Sequence, residues 1–204
     1  MVAITEKQLR LLAPNARSSY RDAFNTADQD LAPHGVNKTA LRLAHFMAQV
    51  LHETGGLTIL VENMNYRAER LMQVWPKRFP TLASAKPFAH NPEALANHVY
   101  GGRMGNVKKG DGWRFVGRGM LQITGRESYE KYGKALKIDL AGNPDLAVDS
   151  KWALKIAAAE WNASGCNPLA DDDKLKAVTF AINGGYNGLA SRKEWLAKTK
   201  NVWK

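Results

Sequence analysis

The chain has 204 residues, 45% apolar and 24% charged, with a net charge of +10 and a sequence pI near 9.7. This balance excludes a disordered chain, and the length suffices to bury a core. No apolar run approaches the roughly 20 residues that span a bilayer, so stable membrane insertion is not expected.

The first segment, MVAITEKQLRLLAPNARSSY, has no basic start followed by an apolar stretch, so synthesis and folding in the cytoplasm are expected. Thr5-Glu6-Lys7-Gln8 reads as a capping box, opening a short helix that stops before Pro14. Asn15 is placed to cap a second helix with Tyr20, Ala23, Phe24 and Ala27 at helical spacing. Residues 32–37 break it, and Asn37 or Thr39 caps a third helix with Leu41, Ala44, Ala48 and Leu51 as its apolar face. Gly55 and Gly56 end that helix just after Glu53.

Residues 76–119, with four prolines and many glycines, read as short helices joined by loops. Asn143-Pro144 is expected to open a helix that Gly165 closes, and ADDDK to cap another over Leu175 to Ile182 through the helix dipole. A last helix is expected near Ser191 to Thr199. Apolar/polar alternation is scarce, so the fold class is mainly α with few or no short strands, in one domain of two lobes.

The single cysteine, Cys166, cannot form an internal disulfide and reads as a small buried residue at a helix-end turn. The positive charge favours polyanionic partners, yet no finger, basic-zipper or RNA-binding signature supports nucleic acid. His52-Glu53 begins an HExxH motif, but Gly56 stands where the second histidine is needed. His45 and His52 share a helix face without a third ligand, so no metal is expected. GRGMLQITGRE matches no phosphate loop, no serine-nucleophile motif is present, and no cofactor is expected.

Paired carboxylates remain. Glu53 falls in the last turn of its helix, where unpaired carbonyls disfavour negative charge. A partly apolar pocket there would help keep it protonated, as a general acid requires. Glu62 follows the apolar LTILV in a turn or short strand, where a carboxylate can activate water. Two carboxyls with separate roles suit glycoside hydrolysis, although a hydrogen-bonded Glu53 and a solvated Glu62 would satisfy the spacing equally. Tyr66, Tyr100, Trp113, Phe115, Gln122, Thr124 and Asn183 could supply the flat faces and neutral polar groups of a sugar site, Trp113 and Phe115 equally plain core.

FMAQVLHETGG, ENMNYRAERL, YGGRMGN, GWRFVGRGMLQITGRESYEKYG and INGGYNG, in that order over about residues 43–192, resemble family 19 glycoside hydrolases, especially their phage endolysin and bacterial lysozyme-like branch. The resemblance implies a lysozyme-like bilobal domain spanning residues 1–204, with a deep substrate cleft and no separate wall-binding domain. It implies that Glu53 is the catalytic acid, Glu62 the base and Thr124 the hydroxyl that holds the attacking water. Gln122 and Asn183 match substrate-binding amides; Tyr66 and Tyr100 are read from their residue type as further substrate contacts, and Arg192 as a substrate-site residue that contacts the acid's surroundings. Inversion of configuration is implied, with carboxyls about 6.5–9.5 Å apart. The sequence departs from the family in three places. Plant chitinases carry a longer insertion between the two acids, Ser128 stands where an asparagine is usual, and Asn187 replaces a glutamate that supports the acid.

The expectation is a monomeric endolysin that hydrolyses β-1,4 bonds of peptidoglycan glycan strands, attracted by charge to the anionic bacterial envelope. It would be made in a host cytoplasm and act on the periplasmic wall after release. A chitinase, a lytic transglycosylase and a non-catalytic wall-binding or nucleic-acid-binding module are the rival readings.

Overall fold

The computed structural model describes all 204 residues and contains thirteen α-helices joined by 3-10 turns and loops. In α1 (Glu6–Leu12) the Thr5 hydroxyl accepts from the Gln8 N–H at 3.2 Å and the Gln8 side chain accepts from the Thr5 N–H at 2.9 Å, completing the capping box. The expected second helix is divided. α2 (Ser18–Ala23) and α3 (Ala27–Leu31) flank a 3-10 turn at Phe24–Thr26, and the residue before α2 is Arg17, so Asn15 is not its cap.

α4 (Ala40–Glu53) starts at Thr39, whose hydroxyl accepts from the Arg42 N–H at 3.1 Å. Its environment differs from the single apolar face expected. Every residue from Leu43 to Leu51 is buried, including His45 and Gln49, while Leu41 is only half-buried. α4 is therefore the central helix, and its two polar residues are enclosed rather than solvated.

Four short helices follow: α5 (Ala68–Val74), α6 (Leu82–Ala85), α7 (Pro92–Tyr100) and α8 (Asp111–Arg114). The last three give residues 76–119 the expected pattern of short helices and loops. α9 (Arg126–Leu136) buries Tyr129, Tyr132 and Gly133 on one side. Asn143-Pro144 opens only a 3-10 turn, Pro144–Val148, and α10 (Ala153–Ala163) is a separate helix. Gly165, at φ +66°, turns the chain into α11 (Cys166–Asp171). Cys166 is fully buried there, and burial pushes its thiol up to about 12.

The acids before α12 (Leu175–Asn183) do not cap it; Lys174 occupies that position. Asp172 pairs locally with Lys174 at 2.8 Å, and the other two pair across the fold. Asp171 meets Arg42 at 2.5 Å, and Asp173 meets both His45 at 2.7 Å and Lys200 at 2.5 Å. α13 (Leu189–Val202) is longer than expected and packs along α4. Strand pairing is confined to isolated bridges of Arg118 with Val61 and Ile123.

The apolar core falls into separate clusters. The largest, 27 residues, joins α1–α4 to α10–α13 around Phe46, Leu51 and Trp161. Trp161 packs edge-on against Phe46 at 5.5 Å and donates to the Asn167 side chain at 2.8 Å. Burying such a side chain contributes roughly 2–3 kcal/mol. A second cluster contains Met64, Leu71, Phe79 and Leu95, and a third contains Phe115, Tyr129 and Leu140. The division places the two acids. Glu53 ends a helix rooted in the first cluster, and Glu62 lies between Leu60, packed on that cluster, and Met64, in the second.

Candidate active site

Glu53 is the last residue of α4, and Thr54 caps the turn with its hydroxyl, donating to the Val50 carbonyl at 2.6 Å and accepting from the Leu57 N–H at 2.8 Å. Gly55 and Gly56, at φ +54° and +74°, complete the reversal. The partly apolar pocket expected around Glu53 also holds polar partners. Arg192 reaches from α13 and donates from Nη2 to Glu53 Oε1 and from Nη1 to the Gln49 side-chain oxygen. Its Nε donates to the Asn187 carbonyl at 3.2 Å. Arg192 is 1% exposed and is enclosed in the acid's surroundings. Glu53 Oε2 has no protein partner, and the side chain keeps 18% of its surface exposed.

Glu62 is held quite differently. Its backbone N–H donates to the Gly117 carbonyl at 2.9 Å, tying the segment to the GRGMLQIT loop. The Gly117 N–H donates to Oε1 at 2.6 Å, and the Tyr100 hydroxyl donates to Oε2 at 2.8 Å. Each carboxylate oxygen keeps a further lone pair. Tyr100 therefore touches the acid directly, and burial, followed by the Glu62 charge, raises its phenol pKa. Tyr66 is half-buried, edge-on to Trp75 at 5.6 Å.

Thr124 and Gln122 gather at the same place. A Cβ on Gly117 would lie 3.1 Å from Gln122 Oε1, 3.2 Å from Thr124 Oγ1 and 3.4 Å from the Glu62 carboxyl carbon. The Thr124 hydroxyl donates to the Gln122 carbonyl at 2.9 Å, and the Gln122 amide donates to the Gly119 carbonyl at 2.8 Å. Gln122 adopts φ +58°, a conformation that side-chain-bearing residues rarely accept without functional or packing reason.

Asn183 ends α12, exposed, at the start of the Gly184–Gly188 loop. That loop crosses the end of α4: Gly188 lies against the His52 ring, and His52 Nδ1 is 3.0 Å from the Ser191 hydroxyl. His45 pairs with Asp173, so the two histidines have separate partners rather than a common metal face. Trp113 is 37% exposed, whereas Phe115 is fully buried beneath Arg126.

The sequence reading did not single out Gln49, Gly117 or Glu160. Gln49 was legible as a polar residue one turn before Glu53 on the same helix. Gly117 acts through its backbone, which no side-chain pattern reveals. Glu160, on α10, has a buried Oε2 with no hydrogen-bond partner. Burial, followed by the charge of Glu53, pushes its carboxyl up to about 8, with Lys131 acting in the opposite direction.

The arrangement thus contains one carboxyl tied to a cation with one oxygen free, and a second accepting two neutral donors beside a hydroxyl and an amide. Residues 13–172 match the family model described as chitinase class I, glycoside hydrolase family 19. The chain belongs to glycoside hydrolase family 19. A family 19 domain-containing protein of Haemophilus influenzae is 41% identical over 164 residues, covering 77% of this chain and 76% of its own. An acidic endochitinase of Petunia hybrida is 40% identical over 105 residues, 42% of this chain and 39% of its own. Solved structures share the fold. Chitinase C from Streptomyces griseus superposes with a TM-score of 0.69 at 21% identity, covering 98% of this chain and 76% of its own. A bacterial family 19 chitinase gives 0.67 at 23%, covering 98% and 94%. As a family 19 member, the protein is a glycoside hydrolase of mainly helical fold.

Proposed function

We propose that this family 19 hydrolase cleaves β-1,4 glycosidic bonds of bacterial peptidoglycan as an endolysin-type lysozyme, with Glu53 as acid and Glu62 as base. The observation that carries the assignment of roles is the contrast between the two carboxyls. The free Oε2 of Glu53 gives a proton to the leaving glycosidic oxygen as the bond to the anomeric carbon breaks. On the opposite face, Glu62 takes a proton from water as its oxygen bonds to that carbon. Thr124, beside Gly117, orients the water, and the configuration inverts. Arg192 balances the charge left on Glu53 after transfer. The +10 charge favours encounter with an anionic wall.

The names of the relatives support a second reading, hydrolysis of chitin. Digestion of purified peptidoglycan and of a chitin hexasaccharide, with products identified by mass spectrometry, separates the two. Hydrolysis of peptidoglycan gives new reducing ends, which name the bond cut. 1,6-Anhydro ends would instead establish transglycosylation, and turnover of chitin alone would establish a chitinase. Folded Glu53→Gln and Glu62→Gln proteins should each lose nearly all activity. Wild-type rates in either would overturn its role.

A further inference from the structure

Beyond Glu62 the chain runs through Asn65, Tyr66 and Arg67 into α5, and a hollow of about 280 Å³ opens there. Asn65, Tyr66, Arg67, Glu69, Arg70 and His90 are among its lining residues. Its frame is fixed. The His90 N–H donates to the Tyr66 carbonyl at 2.9 Å, and His90 Nδ1 lies 3.0 Å from Asn65 Oδ1. Tyr66 links the hollow to the candidate base: burial and the Glu62 charge raise its phenol pKa, while Arg70 pulls it down.

The charges of the hollow are not used internally. Arg67 forms no ion pair, and Arg70 donates only to the uncharged Gln73, at 3.0 Å. Glu69, also without an ion pair, is the one acid on the rim. Arg67 and Arg70 are both exposed and both line this polar hollow, and each guanidinium carries five donors. Neutral chitin has nothing to place against them. Peptidoglycan does: its muramic acid residues carry peptide stems with free carboxylates.

We propose that this hollow is a subsite for the stem-peptide carboxylates of peptidoglycan, gripped by Arg67 and Arg70. It rests on the peptidoglycan reading and adds a reason why the enzyme would prefer that polymer to chitin. Arginine suits the task because its planar fork engages a carboxylate through two parallel hydrogen bonds.

The test compares wild type with Arg67→Ala/Arg70→Ala and Arg67→Lys/Arg70→Lys on three soluble substrates: stem-bearing glycan, glycan stripped of its peptides by an amidase, and a chitin hexasaccharide. The alanine protein should lose about tenfold or more in kcat/KM on stem-bearing glycan, the effect of removing charge-assisted hydrogen bonds, with the lysine protein intermediate. Rates on the other substrates should change less than about twofold, within the effect of a surface substitution. Equal losses on all substrates, or none, would overturn the subsite. A direct arm uses unmutated protein: NMR titration with N-acetylmuramyl-L-alanyl-D-glutamate should shift Tyr66, Arg67, Arg70 and His90. Absence of those shifts defeats the subsite even if peptidoglycan is cleaved. Failure of wild type to cleave any peptidoglycan, with chitin turned over, defeats the parent reading by itself.

Discussion

Arg192 and Glu53 lie 139 residues apart in sequence and meet through a largely buried hydrogen bond, from Nη2 to Oε1, that joins α13 to the end of α4. The same guanidinium holds Gln49 and the Asn187 carbonyl. Its planar fork thus ties a carboxylate, an amide and a loop backbone into one unit, which a lysine ammonium could not reproduce.

Arg192→Ala leaves Glu53 and Gln49 without their donor. Breaking a buried pair by removing one partner costs about 3–5 kcal/mol, and the partial exposure of Glu53 puts this pair toward the lower end. Denaturant melts should show that loss. Glu53→Gln combined with Arg192→Ala should cost less than the sum of the single changes, because the two share one interaction. A fully additive pair would show that Arg192 stabilises the fold independently of the acid.

Gly117→Ala separates activity from stability. The added methyl would sit among Gln122 Oε1, Thr124 Oγ1 and the Glu62 carboxyl, all within 3.4 Å. Gly117 does not require a left-handed backbone, so the fold should survive with a change of about 1 kcal/mol. Displacing catalytic groups by fractions of an ångström should lower turnover about tenfold or more. Unchanged turnover would mean that the atoms around Gly117 do not act on the reacting sugar.

Gly188→Ala has the opposite profile. A Cβ there would stand 2.3 Å from the His52 ring, and the residue is held at φ +70°. Strain of this kind costs about 1–3 kcal/mol before the ring is moved. Thermal melts should therefore register a clear loss, with activity falling in parallel because the loop overlies the end of α4.

Glu160 gives the fold a dependence on pH. Its folded carboxyl holds a proton up to about 8, whereas an unfolded one releases it near the ordinary value of 4.5. Between those values the folded state binds the extra proton, so this group's stability contribution, complete below the lower value, is lost as pH rises through the upper one. Three histidines, His34, His45 and His52, are shifted downward by burial, so they oppose this trend only as pH falls through their range. The melting temperature should therefore drop between pH 6.5 and pH 8.5, and Glu160→Gln should flatten that drop. An equally steep fall in the variant would assign the effect to another group.

Much of this fold is written locally, and the exceptions have identifiable causes. Thr5 and Thr39 cap their helices by contacts three residues away, and Gly55-Gly56 ends α4 by backbone conformation alone. Such signals are readable from a string. ADDDK misled because Asp171 and Asp173 answer Arg42, His45 and Lys200, groups brought near only by tertiary packing. Three helices are not marked in the sequence: α5 has only seven residues, α11 only six, and charged residues surround the buried tyrosines of α9. At the candidate site, the acidic pair stood out, and a resemblance sharpened it. The burial of Arg192 did not, since a charged residue on a helix rich in lysines normally faces water.

The matched family region ends at residue 172, whereas the cation that meets Glu53 lies on α13. Trimming the chain to that region would retain both glutamates, Tyr100, Thr124 and Gln122, yet remove Asn183 and Arg192. Such a fragment would bear the family's recognisable chemistry with its acid unmoored. The same holds in time during synthesis on the ribosome. Glu53 emerges early, but its partner follows 139 residues later, so the unfinished chain carries an incomplete site until α13 docks.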